Sequence, residues 1–234
     1  MPDEWANPHL LVDDRWLADR LGDPAVVLVD CDQLPAYQRL HIPGAVWSRS
    51  RYWKGDGNDT DIHAMDDPAR FAAEIGRMGI ANDSTVVAYD ASGGLYAARL
   101  WWTLDRFGFQ HCGVLDGGLD AWYAAGRPLS RENVRPEPRT FHAQPPQDRW
   151  MCHLPDVVAA IDDPQHVFWD TRSDAEWTGE NKRGTQRGGR IPGAVHLEWL
   201  DTLNEPVRTL KPPDELRRML HERGITPDQT VTTY

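Results

Sequence analysis

Short apolar runs recur along this chain, each closed by an aspartate: Val26 to Val29 before Asp30, and Thr85 to Tyr89 before Asp90. A run that is apolar at both odd and even positions has no solvent face, which predicts strands buried on both sides of a parallel sheet. Helical periods lie between them. Asp67 is placed to cap a helix with Pro68 at its first position. Phe71, Ile75 and Met78 then fall on one face, and Gly79 stops the helix. Leu95 to Phe107 predicts a further helix, Cys112 to Leu115 a strand, and Leu119 to Ala125 a short helix closed by Gly126. This alternation predicts an α/β fold, a mainly parallel sheet flanked by helices.

The pattern is written twice. Pro68, Phe71, Ile75, Gly79-Ile80 and Tyr89 align at one constant offset with Pro213, Leu216, Leu220, Gly224-Ile225 and Tyr234. Upstream, Asp23-Pro24 to Asp30 matches Asp163-Pro164 to Asp170, and Ile42-Pro-Gly-Ala-Val46 matches Ile191-Pro-Gly-Ala-Val195. The offset widens between these two matches, so the second copy carries a longer loop between Asp170 and Ile191. A two-copy repeat of this length means duplicated domains, because solenoid units are only ~20–50 residues long. The predicted organisation is a first unit over 1–129, a proline-rich linker over 130–150 and a second unit over 151–234. In the first copy Tyr89 is followed by Asp90-Ala-Ser-Gly-Gly94, a strand running into the kind of loop where open α/β sheets place their chemistry. In the second copy that register reaches Tyr234. The polypeptide is therefore expected to continue, since a terminal strand there would leave an open edge.

Composition narrows the classes. The 234 residues carry a net charge of −11, which argues against binding a phosphate backbone. No apolar run approaches the ~20 residues that cross a bilayer. The start, Met1-Pro-Asp-Glu-Trp-Ala-Asn, reads as no secretory signal. The three cysteines, Cys31, Cys112 and Cys152, form no CxxC pair, so neither a disulfide framework nor a zinc site is indicated. Reduced thiols in a cytoplasmic protein are the expectation. Each cysteine reads as a small apolar residue.

The candidate chemistry gathers in the second copy. Arg172 lies two residues past Asp170, at a strand end that faces the ligand crevice of a parallel sheet. It is either a cation for an anionic ligand or the partner of Glu176 or Asp174. The insertion Gly179 to Arg190 is basic, with Lys182, Arg183, Arg187 and Arg190, and could draw in a small anion. Trp199 is a candidate wall of the pocket or a core residue.

The motifs Val29-Asp30, His41-Ile-Pro-Gly-Ala45, Val86-Val-Ala-Tyr-Asp90, Leu115-Asp-Gly-Gly-Leu-Asp-Ala-Trp122, Trp169-Asp-Thr-Arg-Ser-Asp-Ala-Glu-Trp-Thr-Gly179 and Gly189-Arg-Ile-Pro-Gly-Ala194 occur in a duplicated order. Together this set resembles the rhodanese family of sulfurtransferases, in its tandem-domain thiosulfate or 3-mercaptopyruvate form. The resemblance implies a catalytic second unit whose cysteine nucleophile directly follows the strand ending at Tyr234, so that the 234 residues themselves lack it. It implies a sulfane sulfur carried as a persulfide from a small anionic donor to cyanide or another thiophilic acceptor, without metal or organic cofactor. Arg172, Glu176, Trp199, Arg183 and Arg187 become candidate donor-binding residues. Asp90 becomes the pseudo-active-site residue of a silent first unit, either shaping a cleft or capping its loop. Two rivals share the fold: a phosphatase with a longer cysteine loop, and a non-catalytic binding module.

Overall fold

The computed structural model describes residues 5–48, 67–147, 149 and 151–234. Expectations that fall on residues 1–4, or on 148 and 150 of the linker, lie outside the described residues. The chain divides into two compact units, Met1–Asp148 with Glu205–Thr209, and Arg149–Asn204 with Leu210–Tyr234.

The first unit runs β1 (Leu11–Val12), α1 (Asp14–Ala18), β2 (Val26–Asp30), α2 (Leu34–Arg39), β3 (Val46–Trp47), α3 (Pro68–Arg77), β4 (Thr85–Tyr89), α4 (Leu95–Arg106), β5 (Cys112–Leu115) and α5 (Gly118–Ala124). Its five strands form one sheet in the order β1-β5-β4-β2-β3, and every pair is parallel. The side-chain period of two divides each central strand between two cores. Val29, Val86 and Ala88 pack with Phe71 and Ile75 of α3 and Leu100 and Leu104 of α4. Leu28, Val87 and Tyr89 pack on the other face with Leu17 of α1 and Trp122 of α5. That is why these strands read as unbroken apolar runs. Asp67 caps α3, accepting from the Ala69 N–H at 2.9 Å and the Arg70 N–H at 3.4 Å.

The segment 130–147 is not a free linker. Phe141 is buried in the first core, with Phe109 at 5.5 Å and Phe71 at 6.1 Å between ring centroids. The Arg139 N–H donates to the Gly76 carbonyl at 2.9 Å, and the Gln144 N–H to that of Phe107 at 3.0 Å. Only glycine fits at position 76, because a Cβ there would lie 2.3 Å from the Arg139 carbonyl oxygen. Prolines keep this strip extended, while Val134, Phe141 and Ala143 pin it to the first unit.

The elements that follow in the chain are α6 (Leu154–Ala160), β6 (His166–Asp170), α7 (Asp174–Thr178), β7 (Val195–His196), β8 (Leu203–Asn204), β9 (Thr209–Leu210), α8 (Pro213–His221) and β10 (Thr230–Thr233), all in the second unit except Thr209. The parallel sheet of the second unit has the order β10-β6-β7. These three strands repeat the arrangement of β4, β2 and β3, so the duplication read in the sequence is a duplication of topology.

Candidate functional site

The second unit's site is built at the C-terminal ends of β6 and β10. Asp170, the last residue of β6, is fully buried. Its carboxylate accepts from Arg172 three times: from the backbone N–H at 3.0 Å, from Nε at 2.9 Å and from Nη2 at 2.5 Å. Burial pushes the Asp170 carboxyl up, but the Arg172 hydrogen bonds and charge outweigh it and hold the group below the usual range. The bond to Asp170 likewise raises Arg172 above its ordinary value. Nη2 also donates to the Gly189 carbonyl at 2.9 Å, and the guanidinium lies 5.0 Å from the Tyr234 ring centroid. Arg172 Nη1 has no hydrogen-bond partner among the described residues. The partner of Arg172 is thus Asp170, and neither Glu176 nor Asp174. A carboxylate two residues earlier on the strand end already lies within reach of the guanidinium fork.

Glu176 is buried, and it is spent locally. With Ser173 it closes a capping box on α7: the Ser173 hydroxyl donates to Oε2 at 2.8 Å, and Arg183 Nε to Oε1 at 2.9 Å. These partners hold the Glu176 carboxyl below its ordinary value against the upward push of burial. Arg183, at a left-handed φ of 47°, is thereby anchored at the start of the insertion. Arg190 closes its other end by lying 4.1 Å over the Trp177 ring and donating to the Trp177 carbonyl. Arg187 is exposed, and its side chain has no partner among the described residues. Trp199 is half-buried, its N–H donating to the Thr171 carbonyl at 3.0 Å. The fold therefore sets Arg172 on Asp170 beside Tyr234, and Glu176 separately on Ser173 and Arg183, while Arg187 stands apart in solvent.

The first unit builds the same scaffold with opposite charge. The Ile42 N–H donates to the Tyr89 hydroxyl at 3.0 Å, as the Ile191 N–H does to that of Tyr234 at 3.1 Å. Where Arg172 stands in the second copy, the first has Asp32, whose Oδ2 accepts from the Ala91 N–H at 2.9 Å. Asp90 follows Tyr89 and is fully buried. Its two oxygens take four backbone N–H groups, from Ser92 and Gly94 at 2.8 Å each, Tyr96 at 2.8 Å and Ala97 at 2.9 Å. This is a loop that cradles an anion at the start of α4, filled by the chain's own carboxylate. Burial, with the charges of Asp30 and Asp90, pushes Asp32 up to about 7, and burial pushes Asp30 up to about 6.

The chain is not without a thiol in this sheet, and the expectation that the 234 residues lack a nucleophile is not borne out in that form. Cys112 opens β5 beside Val86. It is buried, and burial pushes its thiol far above the ordinary value. Cys31 is buried as well, while Cys152 is half-exposed. Sequence reasoning missed two further residues, His196 and Asp32. Laying the two copies over each other would have revealed both, since the pairs Trp47/His196 and Asp32/Arg172 differ in kind at matched positions.

The strand–loop–helix cradle of the first unit holds an anion, and the matching sheet of the second unit carries a strand-end arginine. Comparison with known proteins agrees. The rhodanese-like domain pattern matches residues 13–125. The thiosulfate sulfurtransferase of Pseudomonas aeruginosa is 34% identical over 96% of this chain and 82% of its own length. That of Azotobacter vinelandii is 35% identical over 99% of this chain and 84% of its own length. Among solved structures, the 3-mercaptopyruvate sulfotransferase SseA of Escherichia coli superimposes with a TM-score of 0.76 at 25% identity, covering 96% of this chain and 87% of that one. The chain belongs to the rhodanese family of sulfurtransferases. An anaerobic ergothioneine biosynthesis enzyme from Chlorobium limicola shares the fold at 20% identity, with a TM-score of 0.84 over 98% of this chain and 61% of its own.

Proposed function

We propose that the protein moves a sulfane sulfur from thiosulfate or 3-mercaptopyruvate to a thiophilic acceptor such as cyanide, through a cysteine persulfide. The observation that carries this reading is the Asp90 loop, a backbone cradle shaped for one anionic group. The matching position in the second copy is the one that follows Tyr234, and there we place the reacting thiol. A cradle of N–H groups at a helix start stabilises a thiolate and then a persulfide. The thiolate attacks the outer sulfur of thiosulfate; the S–S bond breaks, and sulfite leaves with its electron pair. Cyanide then attacks the outer sulfur of the persulfide, thiocyanate leaves, and the thiolate is restored. With 3-mercaptopyruvate the C–S bond breaks instead, and the departing enolate takes a proton to become pyruvate.

Asp90 cannot carry sulfur, which makes the first unit silent in this scheme. Cys112 is unsuited to the role on two grounds. Burial favours its neutral thiol, and it sits at the N-terminal start of β5, whereas ligands of parallel sheets bind at the strands' carboxyl ends. Arg172 offers its unpartnered Nη1 to the donor anion, and the exposed Arg187 adds local positive potential. Thiocyanate formation from cyanide with each donor, followed with the protein as the cell makes it, tests the reading. Ping-pong kinetics are expected; a protein that forms no thiocyanate from either donor overturns it.

A further inference from the structure

We propose that His196 is a positioning residue that fixes the donor-binding arginine, Arg172, an inference that rests on the sulfur-transfer reading above. His196 ends β7 in register with Asp170. Its Nε2 lies 2.8 Å from the Arg172 carbonyl oxygen. A carbonyl only accepts, so Nε2 carries a proton and donates. Arg172 is therefore gripped twice. Its guanidinium is forked onto the buried Asp170, and its own peptide carbonyl is tied to the neighbouring strand. With both ends held, the remaining Nη1 is left to serve a ligand.

The histidine is itself locked. Its ring stacks on Trp177 at 4.9 Å with an interplanar angle of 6°, and Arg190 lies over the same indole at 4.1 Å. Its backbone carbonyl accepts from Arg223 Nε at 2.9 Å. Nδ1 faces the Asp174 carboxylate at 3.5 Å. The stack also joins the Arg172 clasp to Arg190, the residue that closes the basic insertion.

The first unit supplies an internal control. In the place of His196 stands Trp47, in register with Asp30, and its Nε1 donates to the Asp32 carbonyl at 2.8 Å. Clasping the carbonyl of the residue two past the strand end is thus a property of the fold. What differs is the side chain being held: a carboxylate in the silent copy and a cation in the second.

His196→Phe keeps a ring for Trp177 and removes the donor, while His196→Gln keeps a donor and removes the ring. We expect the Phe variant to raise the KM for thiosulfate about tenfold, with kcat and the KM for cyanide changed by less than about twofold, because one charge-neutral hydrogen bond to a positioning carbonyl is lost. The Gln variant is expected to restore most of that KM. Should His196→Phe fail to fold, His196→Met against His196→Gln makes the same comparison. A folded donor-less variant whose KM for thiosulfate stays within about twofold of wild type, or Gln and donor-less variants that are impaired equally, overturns the proposal. Wild-type protein that makes no thiocyanate would instead sink the sulfur-transfer reading itself.

Discussion

Replacing Asp90 by asparagine exchanges one carboxylate oxygen for an amide nitrogen, and the geometry fixes what that costs. Both oxygens are in use, each by two backbone N–H groups. Whichever way the amide turns, two N–H donors face an NH2 group that cannot accept. Hydrogen bonds to a charged acceptor contribute about 1.5–3 kcal/mol each, so losing two costs roughly 3–6 kcal/mol. For a unit of this size that lowers the melting midpoint by about 10 °C. Thermal and urea unfolding at pH 7 measure the loss. Amide hydrogen exchange at Tyr96 and Ala97 assigns it to the start of α4. Thiocyanate formation is expected to persist in whatever fraction stays folded, because the proposed chemistry lies in the second unit. A Asp90→Asn protein destabilised by less than about 1 kcal/mol would refute the reasoning, since a cradle that tolerates an NH2 group was not built around an anion.

Arg172→Ala leaves the buried Asp170 without its fork, and is expected to destabilise the second unit by about 3–5 kcal/mol and to abolish donor saturation; urea melts and a thiosulfate titration check both. Arg172→Lys keeps the charge, loses the bidentate geometry and should raise the KM for thiosulfate about tenfold or more. Asp32 gives a pH test. Its carboxyl is raised from 3.8 to about 7, so the folded state binds the proton more tightly than the unfolded chain. Wild-type stability should therefore fall as pH rises through that window, and Asp32→Asn, which still accepts from Ala91, should remove the share of the fall that belongs to Asp32 and leave the smaller share of Asp30. The ceiling on that gain is about 4 kcal/mol above neutral pH, at 1.36 kcal/mol per unit, with Asp30, Asp90 and Asp120 as the facing charges. Melts at pH 4 and pH 8 that show no gain on substitution would count against the acid cluster. Cys112→Ala is expected to leave kcat within about twofold and to cost about 1 kcal/mol of stability, because the thiol acts as packing.

The fold was legible in the sequence wherever one physical rule acted alone. Central strands buried on both faces show as unbroken apolar runs, and the Asp67-Pro68 start of α3 shows as a cap. The strip 130–147 was misread because prolines and polar residues look like a linker. Its anchoring depends on Phe141 and on the absence of a Cβ at Gly76, and neither leaves a periodic signal. Arg172 was legible as a strand-end cation, but its partner was not, because a carboxylate two residues away on the same strand end carries no helical spacing. His196 was invisible for a different reason. Its role lies in holding a backbone carbonyl, which depends on register across the sheet and on no motif of its own.

The account stands or falls on where the sulfur rides. Protein treated with thiosulfate and then freed of donor can be digested and its peptides weighed, with cyanide added to a parallel sample. The account predicts one extra sulfur atom on the reacting cysteine that we propose at the position after Tyr234, lost on cyanide treatment, and none on Cys31, Cys112 or Cys152. Sulfur found on Cys112, or thiocyanate produced with no persulfide on any cysteine, would contradict it.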